Sequence, residues 1–378
     1  SSRQYRPIPN LPDGIIGGLR FNRDNRRVAL SVFASQVPGD VFVLDIETNA
    51  VERWTFGETG GLDATHFVEA ALIQFPTFDK VNGKPRLIPA FLYLPKNVAG
   101  KVPVLIDIHG GPEGQSQPGF GAQTQFWAGE LKVAVLRPNV RGSTGYGKSY
   151  AKLDNGVLRE NSVKDIGALL DWIAKQPNLD AGRVAVFGGS YGGYMSLACM
   201  THFNDRLRCG VDLFGISNFV TFLKNTSAYR QDLRRVEYGD ERDPKMAEHL
   251  AKISPLTNIG KITKPMFVFQ GRNDPRVPLS ESQQMVEALK TNGNTVWYVE
   301  AKDEGHGIAK KANRDAVNAA IAQFLEKNLI GEQPKRVASR WSSVAFWAKI
   351  AQNVRDDGLL TTCLKKLFPS AFQAVVFQ

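Results

Sequence analysis

Residues 183–202 read Arg183-Val-Ala-Val-Phe-Gly-Gly-Ser190-Tyr-Gly-Gly-Tyr-Met-Ser-Leu-Ala-Cys-Met-Thr-His202. The first five form a short apolar run, rich in β-branched and aromatic residues, which predicts a buried strand. The last nine, Tyr194 to His202, are mostly helix formers and contain no proline. Between them stands Gly188-Gly-Ser-Tyr-Gly192, a Gly-x-Ser-x-Gly pattern. The five letters alone are a weak signal. The setting decides the reading, because a strand that turns sharply into a helix holds Ser190 on a strained elbow with its hydroxyl above a sheet. Glycines flank the serine because a Cβ there would strike strand or helix.

The same rhythm runs outward from this elbow. Val102–His109, Val133–Pro138, Gly210–Phe214, Pro265–Gly271 and Thr295–Glu300 read as strands. Val163–Lys175, Glu281–Lys290 and Ala316–Asn328 read as helices, the first with Ile166, Leu169, Leu170 and Ile173 on one face. This alternation predicts an α/β fold with a mostly parallel sheet covered on both sides. Upstream, Ala71–Pro76 and Leu87–Leu94 flank Asn82-Gly83, a strong hairpin signal. Residues 16–58 look all-β, with Gly18–Phe21, Val28–Ser35, Asp40–Asp45 and Val51–Phe56 split by turn residues. Four short strands make about one propeller blade. One blade cannot bury both faces, so it leans on the next domain or follows other blades. The expected organisation is an extended lead-in and blade-like segment at 1–58, a catalytic α/β domain at 59–331, and a basic, peripheral helical extension at 332–378. That last segment carries seven basic and three acidic residues, with Trp341, Val344, Ala348 and Ala351 at helical spacing.

Composition bounds the function. Hydrophobic residues make up 43% of the 378 and charged residues 22%, as in an ordinary globular protein. No apolar run approaches 18 residues, so no membrane span is expected. The net charge of +10 is scattered and accompanies no nucleic-acid motif, so no nucleic-acid partner is expected. Three cysteines are too few for a disulfide framework and lack metal-ligand spacing, which fits a cytoplasmic origin. The chain starts Ser1-Ser2-Arg3, without an initiator Met or a signal-like stretch, and reads as an internal or processed start.

A serine hydroxyl attacks only with a base in reach, and that base needs a carboxylate to orient it. On a serine elbow the chain order is Ser, then Asp or Glu, then His. His306 lies in the loop Asp303-Glu-Gly-His-Gly307 just after a strand and is the expected base. His249 lies in Met246-Ala-Glu-His-Leu250, a helical stretch, and reads as a surface or packing residue. Asp274 follows the strand Pro265–Gly271 at its carboxyl end and is the expected acid. Asp240 and Asp243 follow no strand, and Asp303 is too near His306. The oxyanion of the tetrahedral intermediate needs preorganised donors. The Tyr191 N–H, next after the nucleophile, is one. The second is expected from His109-Gly-Gly-Pro112, at Gly111, with His109 shaping the hole.

Five motifs now stand in order: His109-Gly-Gly-Pro112, Asn139-Val-Arg-Gly-Ser-Thr-Gly-Tyr-Gly147, Gly188-Gly-Ser-Tyr-Gly-Gly193, Asn273-Asp-Pro-Arg-Val-Pro278 and Glu304-Gly-His-Gly307. With them the chain resembles the catalytic half of the prolyl oligopeptidase family of serine peptidases, nearest its acylaminoacyl-peptidase and dipeptidyl-peptidase branch. The resemblance implies an α/β-hydrolase fold, a propeller ahead of it, and a triad of Ser190, Asp274 and His306. It implies a peptide substrate and acyl-enzyme chemistry needing no cofactor or metal. By the same resemblance Arg276 matches an arginine that holds a substrate carbonyl. Phe214, Phe219 and Phe222 are candidates for a pocket that takes an apolar side chain. A carboxylic-ester hydrolase using the same triad is the alternative, because ester and amide cleavage need the same parts.

Overall fold

The computed structural model describes residues 7–59 and 64–331, and the backbone of 375–377. The chain opens with a four-stranded antiparallel meander of β1 (Gly14–Phe21), β2 (Arg27–Ala34), β3 (Val37–Asp45) and β4 (Val51–Arg53). Alternation sets its two faces: Val28, Leu30 and Val32 of β2 and Phe42 and Leu44 of β3 share one small core. The residues between them face the other way. This sheet leans on the larger domain through short polar contacts. Gln125 Nε2 donates to the Ser35 carbonyl at 2.7 Å, and Gln36 Nε2 to the Phe67 carbonyl at 2.9 Å.

The larger domain begins with a hairpin, β5 (Ala70–Val81) and β6 (Lys84–Tyr93), turned at Asn82 and Gly83, both at positive φ. Then follow β7 (Val102–Ile108), α1 (Ala122–Gly129), β8 (Ala134–Pro138), α2 (Lys148–Ala151), α3 (Glu160–Ala174), β9 (Leu179–Gly189) and α4 (Tyr191–His202). After β10 (Cys209–Leu213) come three helices in a row, α5 (Phe219–Asn225), α6 (Ala228–Tyr238) and α7 (Pro244–Ile253). The alternation resumes with β11 (Met266–Gly271), α8 (Leu279–Thr291), β12 (Val296–Ala301) and α9 (Lys311–Leu325). A last strand, β13 (Val375–Phe377), lies antiparallel to β12. The sheet order is β13-β12-β11-β10-β9-β7-β8-β6-β5. Strands β8, β7, β9, β10, β11 and β12 run parallel to one another. This is the α/β-hydrolase fold that the family resemblance implies.

Strand residues alternate between two cores. Val104, Ile106, Val184 and Val186 meet α3, α4 and α8 on one face. Leu105, Ala185, Phe187, Phe267 and Phe269 meet α1 and α9 on the other. Both faces are buried, which is why the central strands read as unbroken apolar runs rather than as alternation. The expected helical extension at 332–378 lies outside the described residues, apart from β13. Among the described residues no helix is long and apolar enough to cross a membrane.

Candidate active site

The loops that leave the carboxyl ends of β7, β9, β11 and β12 meet at one edge of the sheet. Each carries part of the site. Between β9 and α4 the elbow puts Ser190 at φ 59° and ψ −122°, a region few side chains occupy. Its N–H donates to the Leu213 carbonyl at 2.9 Å, which ties the elbow to the neighbouring strand β10. The glycines are required by the crossing. A Cβ on Gly188 would stand 2.2 Å from the Gly192 carbonyl oxygen, and one on Gly192 would stand 2.1 Å from that of Ile108.

His306 Nε2 lies 2.9 Å from Ser190 Oγ, and His306 Nδ1 lies 2.7 Å from Asp274 Oδ2. Three side chains spread over 117 positions therefore form one hydrogen-bonded line. The Asp274 side chain is fully buried, and its other contacts suit an ionised carboxylate. Oδ1 accepts from the N–H groups of Arg276 (2.8 Å) and Val277 (3.0 Å), and Oδ2 also accepts from Gln270 Nε2 (3.2 Å). The Asp274 and His306 loops lie back to back: a Cβ on Gly271 would stand 2.3 Å from the Gly305 carbonyl oxygen. Glu304 anchors the base loop by accepting from the N–H groups of Ala309 and Lys310 and from Asn313 Nδ2.

The loop after β7 runs beside the serine. A Cβ on Gly110 would stand 3.3 Å from Ser190 Cβ and 3.8 Å from the Tyr191 nitrogen. Gly111, at φ 129°, has room for no side chain, since a Cβ would meet the Glu113 nitrogen at 2.3 Å. Two contacts orient this loop's peptides. His109 Nδ1 lies 2.8 Å from the Gly110 carbonyl oxygen, and Arg234 Nη1 donates to the Gly111 carbonyl at 3.0 Å. Burial holds the His109 imidazole below its ordinary pKa, which favours a neutral ring with Nδ1–H as donor.

Three of these loops, those after β9, β11 and β12, fall within a known sequence pattern. The pattern of the prolyl oligopeptidase family matches residues 118–332, more than half of the chain. The chain belongs to the prolyl oligopeptidase family. Among its relatives, dipeptidyl aminopeptidase BIII of Pseudoxanthomonas mexicana is 36% identical over 285 residues, 68% of this chain and 41% of that protein. Dipeptidyl peptidase family member 6 of Caenorhabditis elegans is 34% identical over 281 residues, 73% of this chain and 37% of that protein. The chain thus spans about two fifths of the length of these curated relatives. Among solved structures, the Pyrococcus horikoshii acylaminoacyl peptidase superposes with a TM-score of 0.74 at 21% identity, over 89% of this chain and 53% of that one.

The remaining expected residues of this prolyl oligopeptidase-family chain fall out differently. Arg276 is exposed, and among the described residues its side chain makes no ion pair. Phe219 and Phe222 are corrections. Their relative exposures are 0% and 2%, and they pack with Tyr194 and Tyr238 inside the core. Neither offers surface to a ligand, because α5 turns its apolar side inward under the loops. Phe214 is half-buried, and its ring lies against His306, not in a separate pocket. The discounted acids and base have other partners or places. Asp243 caps α7, Asp240 pairs with Arg242, Asp303 pairs with Lys310, and His249 sits on α7.

Several supporting residues went unread in the sequence. Asn139 clamps the loop after β7 by accepting from the Ser116 N–H and donating to the Ser116 carbonyl. The Thr144 N–H and Oγ1 reach the Gly114 and Glu113 carbonyls. Both belong to the quoted motif 139–147, so the signal was present as a motif without a role. Arg159 is fully buried below the elbow. It donates to Asp154, to Glu237 and, at 3.2 Å, to the Tyr191 hydroxyl.

Proposed function

We propose that this chain is the catalytic part of a serine peptidase that cleaves oligopeptides at aminoacyl or acylaminoacyl bonds through an acyl-enzyme. One observation carries the reading: the unbroken line Ser190–His306–Asp274, at 2.9 and 2.7 Å, in a chain of the prolyl oligopeptidase family. Ser190 Oγ attacks the scissile carbonyl carbon while His306 Nε2 takes its proton. Asp274 keeps the Nδ1 proton in place and offsets the positive charge that forms on the ring. The carbonyl oxygen becomes an anion and is received by the N–H groups of Tyr191 and Gly111. His306 returns its proton to the leaving amine. Water then repeats the sequence on the ester and frees Ser190. The names of the relatives, an aminopeptidase and an acylaminoacyl peptidase among them, support an oligopeptide substrate.

The test pairs labelling with a substrate panel. A fluorophosphonate is expected to label the chain at Ser190, and Ser190→Ala is expected to abolish both labelling and turnover while keeping the melting temperature. Aminoacyl and acylaminoacyl p-nitroanilides are expected to be cleaved alongside p-nitrophenyl esters. Activity confined to esters would replace the peptidase reading with the ester-hydrolase one. Retained turnover in Ser190→Ala would remove both.

A further inference from the structure

Eight described non-glycine residues have positive φ. Five are Asn (10, 25, 49, 82 and 97), which tolerates this backbone in turns. Lys132 sits in the connection before β8. The two that remain are Ser190, on the elbow, and Phe214, at φ 45°. A bulky aromatic residue seldom holds that conformation, and where one does, the surrounding structure fixes it.

The fixing contacts are visible. Phe214 follows the last residue of β10, whose Leu213 carbonyl accepts from the Ser190 N–H at 2.9 Å. The Phe214 N–H itself donates to the Phe269 carbonyl at 2.7 Å. The strand is thus pinned to the nucleophile elbow on one side and to β11 on the other at the point where the chain reverses hand. The turn sends the Phe214 ring across the site. Its centroid lies 4.8 Å from that of the His306 imidazole, with the planes tilted by 53°, and 6.1 Å from the Phe269 ring, edge-on. The ring also fills the space over Gly189, where a Cβ would stand 3.1 Å from it.

We propose that Phe214 is a positioning residue for His306. The inference rests on the triad proposed above. Asp274 and Ser190 hold the imidazole at its two nitrogens along one line, and neither touches the face of the ring. The Phe214 ring supplies a restraint of a different kind, against the flank of the imidazole, and keeps Nε2 directed at Ser190 Oγ. The arrangement also excludes water from that flank, so the hydrogen bond to Asp274 meets less competition. The positive φ belongs to the backbone at 214 whichever residue stands there. Leu, Met and Tyr at 214 therefore carry similar strain and isolate the ring.

The experiment measures kcat and KM for p-nitrophenyl butyrate, the fluorophosphonate labelling rate and the melting temperature in the unsubstituted chain, Phe214→Leu and Phe214→Tyr. Phe214→Leu is expected to lose about tenfold in kcat and in labelling rate with KM unchanged, as misalignment of a reacting group would produce. Phe214→Tyr keeps the ring and is expected to restore both. Phe214→Met removes the ring at similar volume and gives the same reading if the leucine variant does not fold. A raised KM with unchanged kcat would make Phe214 a pocket wall and overturn the inference. So would a tyrosine variant as slow as the leucine one, or a leucine variant as fast as the parent. An unsubstituted chain that takes no label overturns the triad and this inference together. Labelling that is identical in all variants overturns this inference alone.

Discussion

The two sides of the proposed site, the acid–base line and the oxyanion loop, are built by opposite strategies. On the acid–base side the supports are local. Asp274 is held by Gln270, Arg276 and Val277, all within four residues, and the His306 loop by Glu304 and residues 309–313. On the oxyanion side the supports come from afar. His109 leans on Ser143, 34 residues on, and the Gly111 carbonyl on Arg234, 123 residues on. Arg234 comes from α6, the middle helix of the three between β10 and β11. The same helix reaches the acid loop at its other end, where Ser227 bonds the Pro275 carbonyl. The carboxylate of Asp274 and the His306 loop are thus held mainly from within two loops, with Phe214, Thr226 and Ser227 as their distant contacts, whereas the oxyanion side depends more on the assembled domain. Local substitutions should break the first outright, and distant ones should loosen the second.

The largest expected effect tests the local side. Asp274→Asn keeps size and burial but removes the charge that selects the His306 tautomer. A loss on the order of 10⁴-fold in kcat is expected, with KM little changed. The two N–H groups that bond Oδ1 keep an acceptor, so the melting temperature should fall by only a few degrees. A smaller kinetic loss, within tenfold, would mean that the acid–base side is not self-contained. The next effect tests the remote side. Arg234→Ala frees the Gly111 carbonyl from a donor at 3.0 Å and removes the pair with Glu113. Loosening a loop that carries a donor should cost less than deleting the donor, which costs about 10²–10³. About tenfold in kcat with unchanged KM is expected for p-nitrophenyl butyrate. Arg234→Lys, which keeps the charge but not the fork, should fall between. Equal activity in all three would show that the oxyanion loop stands without α6.

This contrast also explains what was readable beforehand. The elbow, the acid loop and the base loop each follow an apolar strand and carry their own Gly or Pro punctuation, so Ser190, Asp274 and His306 were legible one by one. Helix α6 was not, because its pattern is inverted. Arg234, Glu237 and Tyr238 are its buried positions, while Tyr229, Leu233 and Val236 are exposed. A reader who assigns apolar residues to the interior finds no inward stripe there. Arg159 escaped for the same reason, as a charged residue at 0% exposure that only two carboxylates and two tyrosine rings make tolerable. Phe219 and Phe222 failed in the other direction. The family resemblance suggested a pocket, yet only assembly shows that α5 closes over them.

The smallest effect sharpens the comparison at a third place, beneath the elbow between the two sides. Asp212 of β10 is fully buried and pairs in register with Gly188. Its Oδ1 has no hydrogen-bond partner among the described residues, and a Cβ on Gly193 or Gly215 would stand within 2.3 Å of it. Burial pushes its carboxyl up to about 7, with nearby Glu281 adding repulsion. In the unfolded chain the same group titrates near 4. Between those values the folded state holds a proton that the unfolded state has released, so the contribution is full below about 4, falls as pH rises from there and levels off above about 7. One such group contributes a slope of about 1.4 kcal/mol per pH unit in that window. Asp212→Asn, which cannot ionise, is expected to flatten the fall in melting temperature between about pH 4 and 7. Glu281, also raised by burial, should leave a shallower residue of the slope. Catalysis should change little, since Asp212 touches neither loop pair directly. An unchanged slope in the variant would show that Asp212 is ionised at neutral pH, and that a charge is held under Ser190 by something other than the groups around it.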